Sequence, residues 1–594
     1  MPIHVIQPTF AGGEFAPSLR SRTDLARYPT GLAKARNCII HPHGGCSNRP
    51  GTVMIAETKD SSKSSKLFAF QYSTDQAYTL EFGDGYIRFY TNGAQITKSA
   101  PSAWTTSHAY VVGDFVTQSS TTYYCLVAHT SGTFATDLAA AKWVAQTIYE
   151  IPSDYAEADV AGLEIKVAQS ADVLYIAHPD YPPMELARNG HDDWTLSEFD
   201  FSGGPFMLSN AVESNTVTVA SASWLTTTVY AVGDYIETGD NTYRCLVAHT
   251  SGTFATDLAA GKWYKTIAVA VGTMTMTDIA DTFNALHVGA LWRYINTITN
   301  TNVTGSLTND KTDVILCGPT WRLVSTGTWT GSIVIEKSTD AGATWIPVQT
   351  FTANVDTYGD TGESQCLIRL NRPTAGGYYP MGGGGTPSQT GTAVCNLSAD
   401  PFEWVSIVRI TAYSTTKIVT VTAEEQSISA QATFDWAEGS WSPYRGYPST
   451  VTLQQDRTAW AATPSEPQTT WLSETGYYSS FRRSSPLVDS DGITAPLASQ
   501  KINAIRNLVP LGDLLALTSG ADWVITSSNG VLTPATVQTR PQGIRGSSNL
   551  APVVVGNRII AMQPMGQVVR DLGINPYDSS STQGDDNISI MSAH

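Results

Sequence analysis

Short segments in which apolar and polar residues alternate run through the whole chain, and this period of two predicts β-strands. The segment YTLEFGDGYIRFYTNGAQI (78–96) alternates around Gly-Asp-Gly and Asn-Gly, which are turn sequences, so it predicts paired hairpins. The segment ADVLYIAHP (171–179) is apolar enough to be a buried strand, and it ends at a proline. A further hairpin is predicted over IVIEKSTDAGATWIPV (333–348), with its turn at 340–342.

The predicted strands become regularly spaced after about residue 440. Strands of roughly four to eight residues end there at Gly-Asp, Ser-Gly or Gly-Asn turns, a pattern typical of β-propeller blades or of a β-sandwich. Helices are predicted to be few. The two segments that favour one are 24–38, which Pro29 interrupts, and 278–292, where Asp278 is suited to be the N-cap.

An internal repeat interrupts the strand pattern. Residues 104–143 and 224–263 are identical at 26 of 40 positions without a gap. Each copy starts and ends with tryptophan and contains Tyr-x-x-Gly-Asp followed by Tyr-x-Cys-Leu-Val-Ala-His-Thr, which predicts two or three short strands. So short a segment buries little core, so a few aromatic side chains must supply most of it. The predicted fold is mainly β, with propeller-like or sandwich-like sheets in several domains and two small inserted β modules.

Composition and charge narrow the classes of function. The 594 residues predict about three to five domains, and only 15% of residues are charged. The net charge of −17 argues against a groove that grips nucleic acid by neutralising phosphates. No apolar run is long enough to span a membrane, and the first residues do not read as a secretory signal. The seven cysteines are sparse and odd in number, which favours free thiols in a reducing cytosol.

The aromatic residues of the repeat are the main candidates for a binding site, because flat rings can stack on the apolar faces of sugars. The same rings can equally form the core of a small module, and the sequence leaves both interpretations open. The predicted glycan-binding residues are Trp104, Tyr110, Tyr123, Trp143, Trp224, Tyr230, Tyr243, Trp263 and Tyr264.

Two groups of histidines were weighed as metal ligands. The segment HPHGGC (41–46), together with Cys38, offers two imidazoles and two thiols, but its Gly-Gly pair favours a tight turn. His129 and His249 occupy the same position in the two repeats, and neither repeat supplies further ligands at a suitable spacing. We therefore predict hydrogen-bonded structural histidines and no metal site.

Sequence motifs for catalysis are absent. Asp356, Asp360 and Glu363 lack the Asp-x-Asp-x-Asp-Gly spacing of a calcium loop, so a solvated turn is favoured. The glycines at 382–385 belong to a predicted flexible loop (378–393) and are not followed by a helix, so they are not predicted to hold phosphate. Phosphate-loop, metalloprotease and nucleophile-elbow motifs do not occur. We predict neither enzymatic activity nor a cofactor.

Seven segments that keep their order along the chain carry a resemblance to a known family. They include FAGGEFAPSLRSRTDLARYPTGLAKARNC and LEFGDGYIRFYTNG, cover roughly half of the chain, and lie at 10–52, 80–93, 167–186, 194–206, 327–345, 441–481 and 503–525. Together they resemble the tail nozzle, or tail tubular protein B, family of short-tailed bacteriophages. Relatives continue past the sequence DDNISIMSAH, so we expect the natural chain to extend beyond His594.

The resemblance implies a structural virion protein that carries a β-propeller and assembles in the bacterial cytoplasm. Its expected partners are other copies of itself in a ring of six, the adaptor below the portal, tail fibres, and double-stranded DNA. The ring is expected to retain packaged DNA and to conduct it during ejection without sequence-specific binding. An acidic channel wall would let DNA slide because it repels phosphate.

The two repeats resemble small carbohydrate-binding modules of the chitin-binding type. Some such modules carry an exposed aromatic pair after the Tyr-x-Cys strand, where this chain has Val127-Ala128 and Val247-Ala248. The resemblance implies peripheral modules that bind a host-surface polysaccharide, with part of the usual sugar platform missing. Many copies on one particle would bind by avidity.

The predicted organisation alternates body and insertion. The body is predicted at 1–100 (the N-terminal platform), 147–215, 267–440 (a β-rich middle domain) and 441–594 (propeller-like), with the modules at 101–146 and 216–266. Two alternatives to a glycan-binding nozzle remain. One is a purely structural tail or head-completion protein whose modules only pack against neighbours, and the other is a glycan-degrading tail enzyme.

Overall fold

The chain is mainly β and divides into two compact units. The computed structural model describes residues 6–239, 241–269, 273–299, 301–308, 310–372, 390–428, 432–556, 558–566, 568–574 and 582–589. Unit 1 comprises Met1–Asp200, Pro448–Tyr478 and Thr494–His594, and unit 2 comprises Phe201–Tyr447 and Ser479–Ile493. Almost all regular structure in the described residues is antiparallel strand, so the predicted mainly-β class is confirmed.

Five antiparallel sheets, called blades 1 to 5 here, form most of unit 1. Blade 1 is built from Lys66–Gln71, Ala77–Gly83, Tyr86–Thr91 and Glu150–Pro152, with a short fifth strand at Ala94–Gln95. In blades 2 to 5 four strands follow one another along the chain, and each strand pairs with the next. Blade 2 contains Lys166–Ser170, Val173–His178, Tyr181–Gly190 and Asp193–Glu198, and blade 3 contains Thr450–Gln454, Arg457–Ala461, Thr469–Leu472 and Ile493–Pro496. Blade 4 contains Ile505–Leu511, Asp513–Thr518, Asp522–Ser527 and Val537–Gly543, and blade 5 contains Val553–Val555, Arg558–Met562, Val569–Ile574 and Thr582–Asn587.

Blades pack face to face through large apolar side chains. Between blades 1 and 2, the ring of Trp194 stacks on Phe89 at 4.7 Å and meets Phe70 edge-on at 4.8 Å. The opposite face of blade 2 contacts blade 3, where Trp460 lies 6.3 Å from Tyr175. Blades 4 and 5 share a separate aliphatic core that includes Leu517. Blade 2, which packs against blade 1 on one face and blade 3 on the other, therefore carries large apolar side chains on both faces.

Polar contacts join the first strands of the blades. The first strands of blades 2, 3 and 4 are successive neighbours, and the side chain of Gln169 in blade 2 bonds both backbone groups of Gln71 in blade 1. Lys166 donates to the carbonyl of Asn549, which precedes blade 5, and burial lowers the lysine pKa to about 8. Adjacent first strands are the arrangement found around the axis of a β-propeller.

Three stacked sheets form the centre of unit 2. They are a six-stranded platform sheet, a middle sheet and an outer sheet. In spatial order, the strands of the platform sheet are Val217–Ser221, Thr273–Asp278, Ile418–Ala423, Phe402–Thr415, Leu291–Ile298 and Trp436–Glu438. Those of the middle sheet are Ile315–Cys317, Cys366–Asn371, Ile333–Ser338 and Ile346–Phe351, and those of the outer sheet are Asn302–Leu307, Ala393–Ala399, Thr320–Thr326 and Asp356–Asp360.

The middle sheet is buried on both faces. Along Cys366–Asn371, Leu367 contributes to the core shared with the platform sheet, whereas Cys366 and Ile368 contribute to the core shared with the outer sheet. This alternation is the period of two that a strand imposes on its side chains. Small two-stranded sheets complete the two units outside the modules, at Gly13–Glu14 with Gly31–Leu32, Cys38–Ile40 with Cys46–Asn48, Ala268–Val269 with Ser427–Ile428, and Trp329–Thr330 with Thr390–Gly391.

The strand predictions are confirmed and the two helix predictions are wrong. The hairpins over 78–96 and 333–348 and the buried strand within 171–179 all form. The described helices are Phe134–Ala139, Glu157–Ala161 and Phe254–Ala259, with 3₁₀ turns at Pro17–Leu19, Tyr28–Thr30 and Ala285–His287. No helix in the described residues is long and apolar enough to cross a membrane.

Strand pairing explains both errors. In 24–38, the single 3₁₀ turn that contains Pro29 ends at Gly31, where the chain pairs with Gly13–Glu14. In 278–292, Asp278 ends a strand of the platform sheet, and the 3₁₀ turn is capped by Asn284. Helix propensity is a weak term, and pairing with other strands overrides it.

A buried ion pair joins blades 4 and 5. Arg570 donates to Asp522 at 2.7 Å, and both side chains are almost fully buried. Replacing Arg570 by methionine leaves the carboxylate buried without its charge partner, so we expect unit 1 to lose about 3–5 kcal/mol in its free energy of unfolding. Urea denaturation measures this loss. The control is Arg558→Met, which removes an exposed partner of Asp571 and should cost below about 1 kcal/mol. Equal losses for both variants would contradict the argument.

Candidate functional site

The two repeats fold into matching modules, called module 1 and module 2. Module 1 comprises Ser102–Ala103, Ala109–Tyr110, Phe115–Gln118, Thr121–Cys125, His129–Thr130, the helix Phe134–Ala139, and Trp143–Ala145. Module 2 comprises Val229–Tyr230, Tyr235–Thr238, Asn241–Cys245, His249–Thr250, the helix Phe254–Ala259, and Trp263–Thr266. In each, a hairpin pairs with the strand that begins at the closing tryptophan.

Both modules are inserted where the flanking body residues are paired. Thr97 and Ile148 form a β-bridge on either side of module 1, and the Lys98 N–H donates to the Thr147 carbonyl. Module 2 follows the strand Val217–Ser221, which pairs with Thr273–Asp278. Each insertion therefore leaves and re-enters the body at neighbouring points, which is the geometry in which an added domain is tolerated.

The predicted aromatic residues form the cores of the modules. Five of the nine are buried, namely Tyr110, Trp143, Tyr230, Tyr243 and Trp263. The other four, Trp104, Tyr123, Trp224 and Tyr264, are half-buried. A ring that is buried among side chains has no free face on which a sugar could stack, whereas a half-buried ring keeps part of its surface exposed. Glycan binding through the nine residues therefore stays a prediction.

The central ring contacts recur in both modules. Tyr110 meets Trp143 edge-on at 5.0 Å, and Tyr230 meets Trp263 at the same distance. Phe134 packs against Trp104 and Tyr123, as Phe254 packs against Trp224 and Tyr243. The phenol oxygen of Tyr110 accepts the backbone N–H of Thr105 at 2.8 Å, and that of Tyr230 accepts Leu225 at 2.8 Å. These edge-on clusters supply the core that a module of this size otherwise lacks.

Tyr264 differs from the other eight because it has no aromatic counterpart in module 1, where Val144 stands. Its hydroxyl accepts a hydrogen bond from Arg369 at 3.2 Å, and burial raises its pKa. Gly342, at φ +86°, lies beneath the ring, and a Cβ there would be 3.1 Å from a ring carbon. Tyr264 therefore attaches module 2 to the body of unit 2.

The repeated histidines belong to a buried polar network. Nδ1 of His129 donates to the carbonyl of Val127 at 2.7 Å, since a carbonyl can only accept, and Nε2 lies 3.6 Å from Asp137. Asp137 also accepts from Lys142 at 2.8 Å and from the backbone of Gly132 at 3.0 Å. Module 2 repeats every contact, with His249, Asp257, Lys262 and Gly252.

The aspartates of this network were missed by sequence reasoning. The hydrogen bond from Lys142 holds the pKa of Asp137 below its usual range, and Lys262 does the same for Asp257. The available signal was the identity of both copies over CLVAHTSGTFATDLAA, which includes charged positions as well as apolar ones. That identity extends to the surface, because Leu126, Val127 and Leu138 are exposed in module 1, as are their counterparts in module 2.

The other candidate ligands serve local structure. His41 and His43 stack on each other in the turn between Cys38–Ile40 and Cys46–Asn48, and His41 bonds Ser47. Asp356 pairs with Arg322 and Glu363 pairs with Lys337. No group of three or more His, Cys, Asp or Glu side chains within the described ranges could hold a metal ion. The glycines at 382–385 lie outside the described residues.

Comparison with known proteins adds little. No family model matches the chain, and no curated protein matches it. Among solved structures, a "Phage phi92 endosialidase" is similar at 10% identity and a TM-score of 0.18, over 70% of this chain and 55% of that one. The chain thus spans about half of that protein's length. A "Structure of infectious bursal disease virus Gx strain" follows at 12% identity and a TM-score of 0.10, over 46% of this chain and 76% of that one.

The closing tryptophans should carry most of the stability of each module. Trp143 is 3% exposed, so Trp143→Ala removes a large part of the module 1 core and should cost about 3–5 kcal/mol. Hydrogen–deuterium exchange on the full chain should then show loss of protection over 102–145 but not over module 2. Trp263→Ala should give the reciprocal pattern. Loss of protection throughout the body in either variant would contradict separate modules.

Acid should loosen the modules through Asp137 and Asp257. Their pKa values are lowered on folding, so their contribution to stability is complete above the unfolded value of about 4 and is lost as pH falls through the folded value. Exchange protection of both modules, corrected for the intrinsic rate, should be equal at pH 7 and pH 5 and should fall below about pH 4. In Asp137→Asn, module 1 should lose this acid step while module 2 keeps it.

Proposed function

We propose that this chain is a structural subunit of a phage tail nozzle. Six copies form a ring that retains packaged DNA and conducts it during ejection. The observation that carries the proposal is the series of five blades in unit 1, in which the first strands of blades 2, 3 and 4 are successive neighbours. A propeller-bearing subunit is what the resemblance to the nozzle family implies.

Four of the seven segments that carry the resemblance fall in four different blades. Residues 80–93 lie in blade 1, 167–186 in blade 2, and 503–525 in blade 4. The segment 441–481 supplies three strands of blade 3. A resemblance that follows structural elements in chain order supports a shared architecture more strongly than one scattered over loops.

The charge supports a DNA-conducting role. Each chain has a net charge of −17, so a ring of six would carry roughly six times that charge. DNA held by many lysine and arginine contacts pays a large cost to move, because each contact must break. A strongly acidic ring avoids such contacts and lets the duplex slide.

The modules are peripheral parts of this assembly. Each is an insertion between paired body residues, so it can be present without altering the sheets that flank it. Their proposed role is to hold a host-surface polysaccharide weakly, with many copies acting together. Because five of the nine aromatic residues are buried, such binding would use the half-buried rings together with the exposed side chains that both copies share.

The oligomeric state tests the proposal directly. We expect the purified full-length chain, alone or mixed with the adaptor–portal assembly of its phage, to form a six-fold ring by mass photometry and electron microscopy. The matched variant replaces 99–146 by Asn-Gly, a two-residue turn that joins Lys98 to Thr147. It should form the same ring, since module 1 is inserted at a paired site. A chain that stays monomeric and does not bind the adaptor would refute the nozzle role. A ring that forms with the full-length chain but not with the variant would refute the peripheral position of module 1.

A further inference from the structure

Two buried cysteines lie directly opposite each other in the middle sheet of unit 2. Cys317 ends the strand Ile315–Cys317, Cys366 begins the strand Cys366–Asn371, and the two are register partners in the antiparallel pair. Both have no exposed surface and both are free thiols. They point to the same side of the sheet, because both belong to the core between the middle and outer sheets.

Opposite positions in an antiparallel pair have the spacing that a disulfide requires. Their Cα atoms are about 4.5–5.5 Å apart, depending on the type of pair, and disulfides span Cα distances of about 4.4–6.8 Å. The two thiols are close enough that each shifts the pKa of the other. A bond between them would therefore need little movement of the backbone.

The two thiols differ in reactivity. A hydrogen bond from Cys317 holds the pKa of Cys366 below its usual range, with further help from the Thr361 hydroxyl and the charge of Lys337. The thiolate is the form that attacks a disulfide, so Cys366 is the favoured nucleophile and Cys317 the resolving thiol. By contrast, burial raises the pKa of Cys395, in the same core, to about 11.

We propose that Cys317 and Cys366 are an oxidisable pair that closes to a cross-strand disulfide once the folded chain meets a low-molecular-weight disulfide oxidant. The Cys366 thiolate attacks one sulfur of the oxidant, the oxidant's S–S bond breaks, and its other half leaves as a thiol. Cys317 then loses its proton and attacks the Cys366 sulfur of the mixed disulfide, releasing the second half as a thiol. The protein loses two electrons and two protons, and the oxidant gains both.

The oxidant can reach the buried pair because one strand lies at an edge. Ile315–Cys317 is only three residues long and pairs on one side only within the middle sheet. Short edge strands open locally at far lower free energy than the core of a sheet. A chain folded in a reducing cytosol would keep both thiols, and release into an oxidising medium would close the bond. The inference stands on this geometry and is independent of the proposed nozzle function.

Peptide mapping of the full-length chain tests the proposal. The native protein is equilibrated with glutathione disulfide, denatured, alkylated and digested. We expect a linked peptide that contains Cys317 and Cys366 as the major form, with Cys395 alkylated. The midpoint of thermal unfolding of unit 2 should rise by about 5–10 °C and return on reduction.

Three alanine variants separate the roles. Cys317→Ala should leave Cys366 carrying one glutathione, because the resolving thiol is gone, and Cys366→Ala should leave Cys317 almost unmodified. Cys395→Ala is the matched control, a buried cysteine of the same core, and should form the linked peptide as the parent does. Full alkylation of both Cys317 and Cys366 in the oxidised parent would overturn the proposal. So would a linked peptide that contains Cys395 in place of either partner.

Discussion

Face-to-face burial of small antiparallel sheets is the constraint on which the rest of this structure depends. An antiparallel sheet that has an apolar face is stable only when a neighbouring sheet covers that face. Trp194 and Trp460 show how the contact is made, with one ring filling each side of blade 2. The same rule acts in unit 2, where the middle sheet is covered by the platform and outer sheets. A protein of this kind is extended by adding sheets, not by enlarging one core.

That constraint also explains where the modules lie. An insertion within a strand would break the covered faces, whereas one that leaves and returns at paired residues such as Thr97 and Ile148 does not disturb them. The modules then have to be stable with very little core of their own. They meet this need with edge-on aromatic rings and with a buried aspartate that a lysine, a histidine and a backbone N–H surround. The aromatic residues of the modules therefore serve first as their structural core.

The buried polar groups of the sheets are of two kinds: an ion pair that stabilises the fold, and a pair of thiols that could form a new covalent bond within it. Arg570 and Asp522 hold two blades together. When reduced, Cys317 and Cys366 pack in the core between the middle and outer sheets as small side chains, yet their register places the two thiols opposite each other. The seven cysteines are sparse in the sequence, and nothing in their spacing marks these two. Pairing of distant strands brought together residues that are 49 positions apart.

The mainly-β class, the hairpins at 78–96 and 333–348, and the presence of two like modules could be predicted from the sequence, because alternation, turn residues and self-identity are local signals. The helices predicted at 24–38 and 278–292 do not form, because pairing with other strands overrode the local propensity of these segments. The sequence also left open whether the repeat aromatics are core or surface. Only the tertiary structure decided that, and it alone placed Asp137 beside Lys142 and Cys317 opposite Cys366, since burial and register depend on residues far apart in the chain.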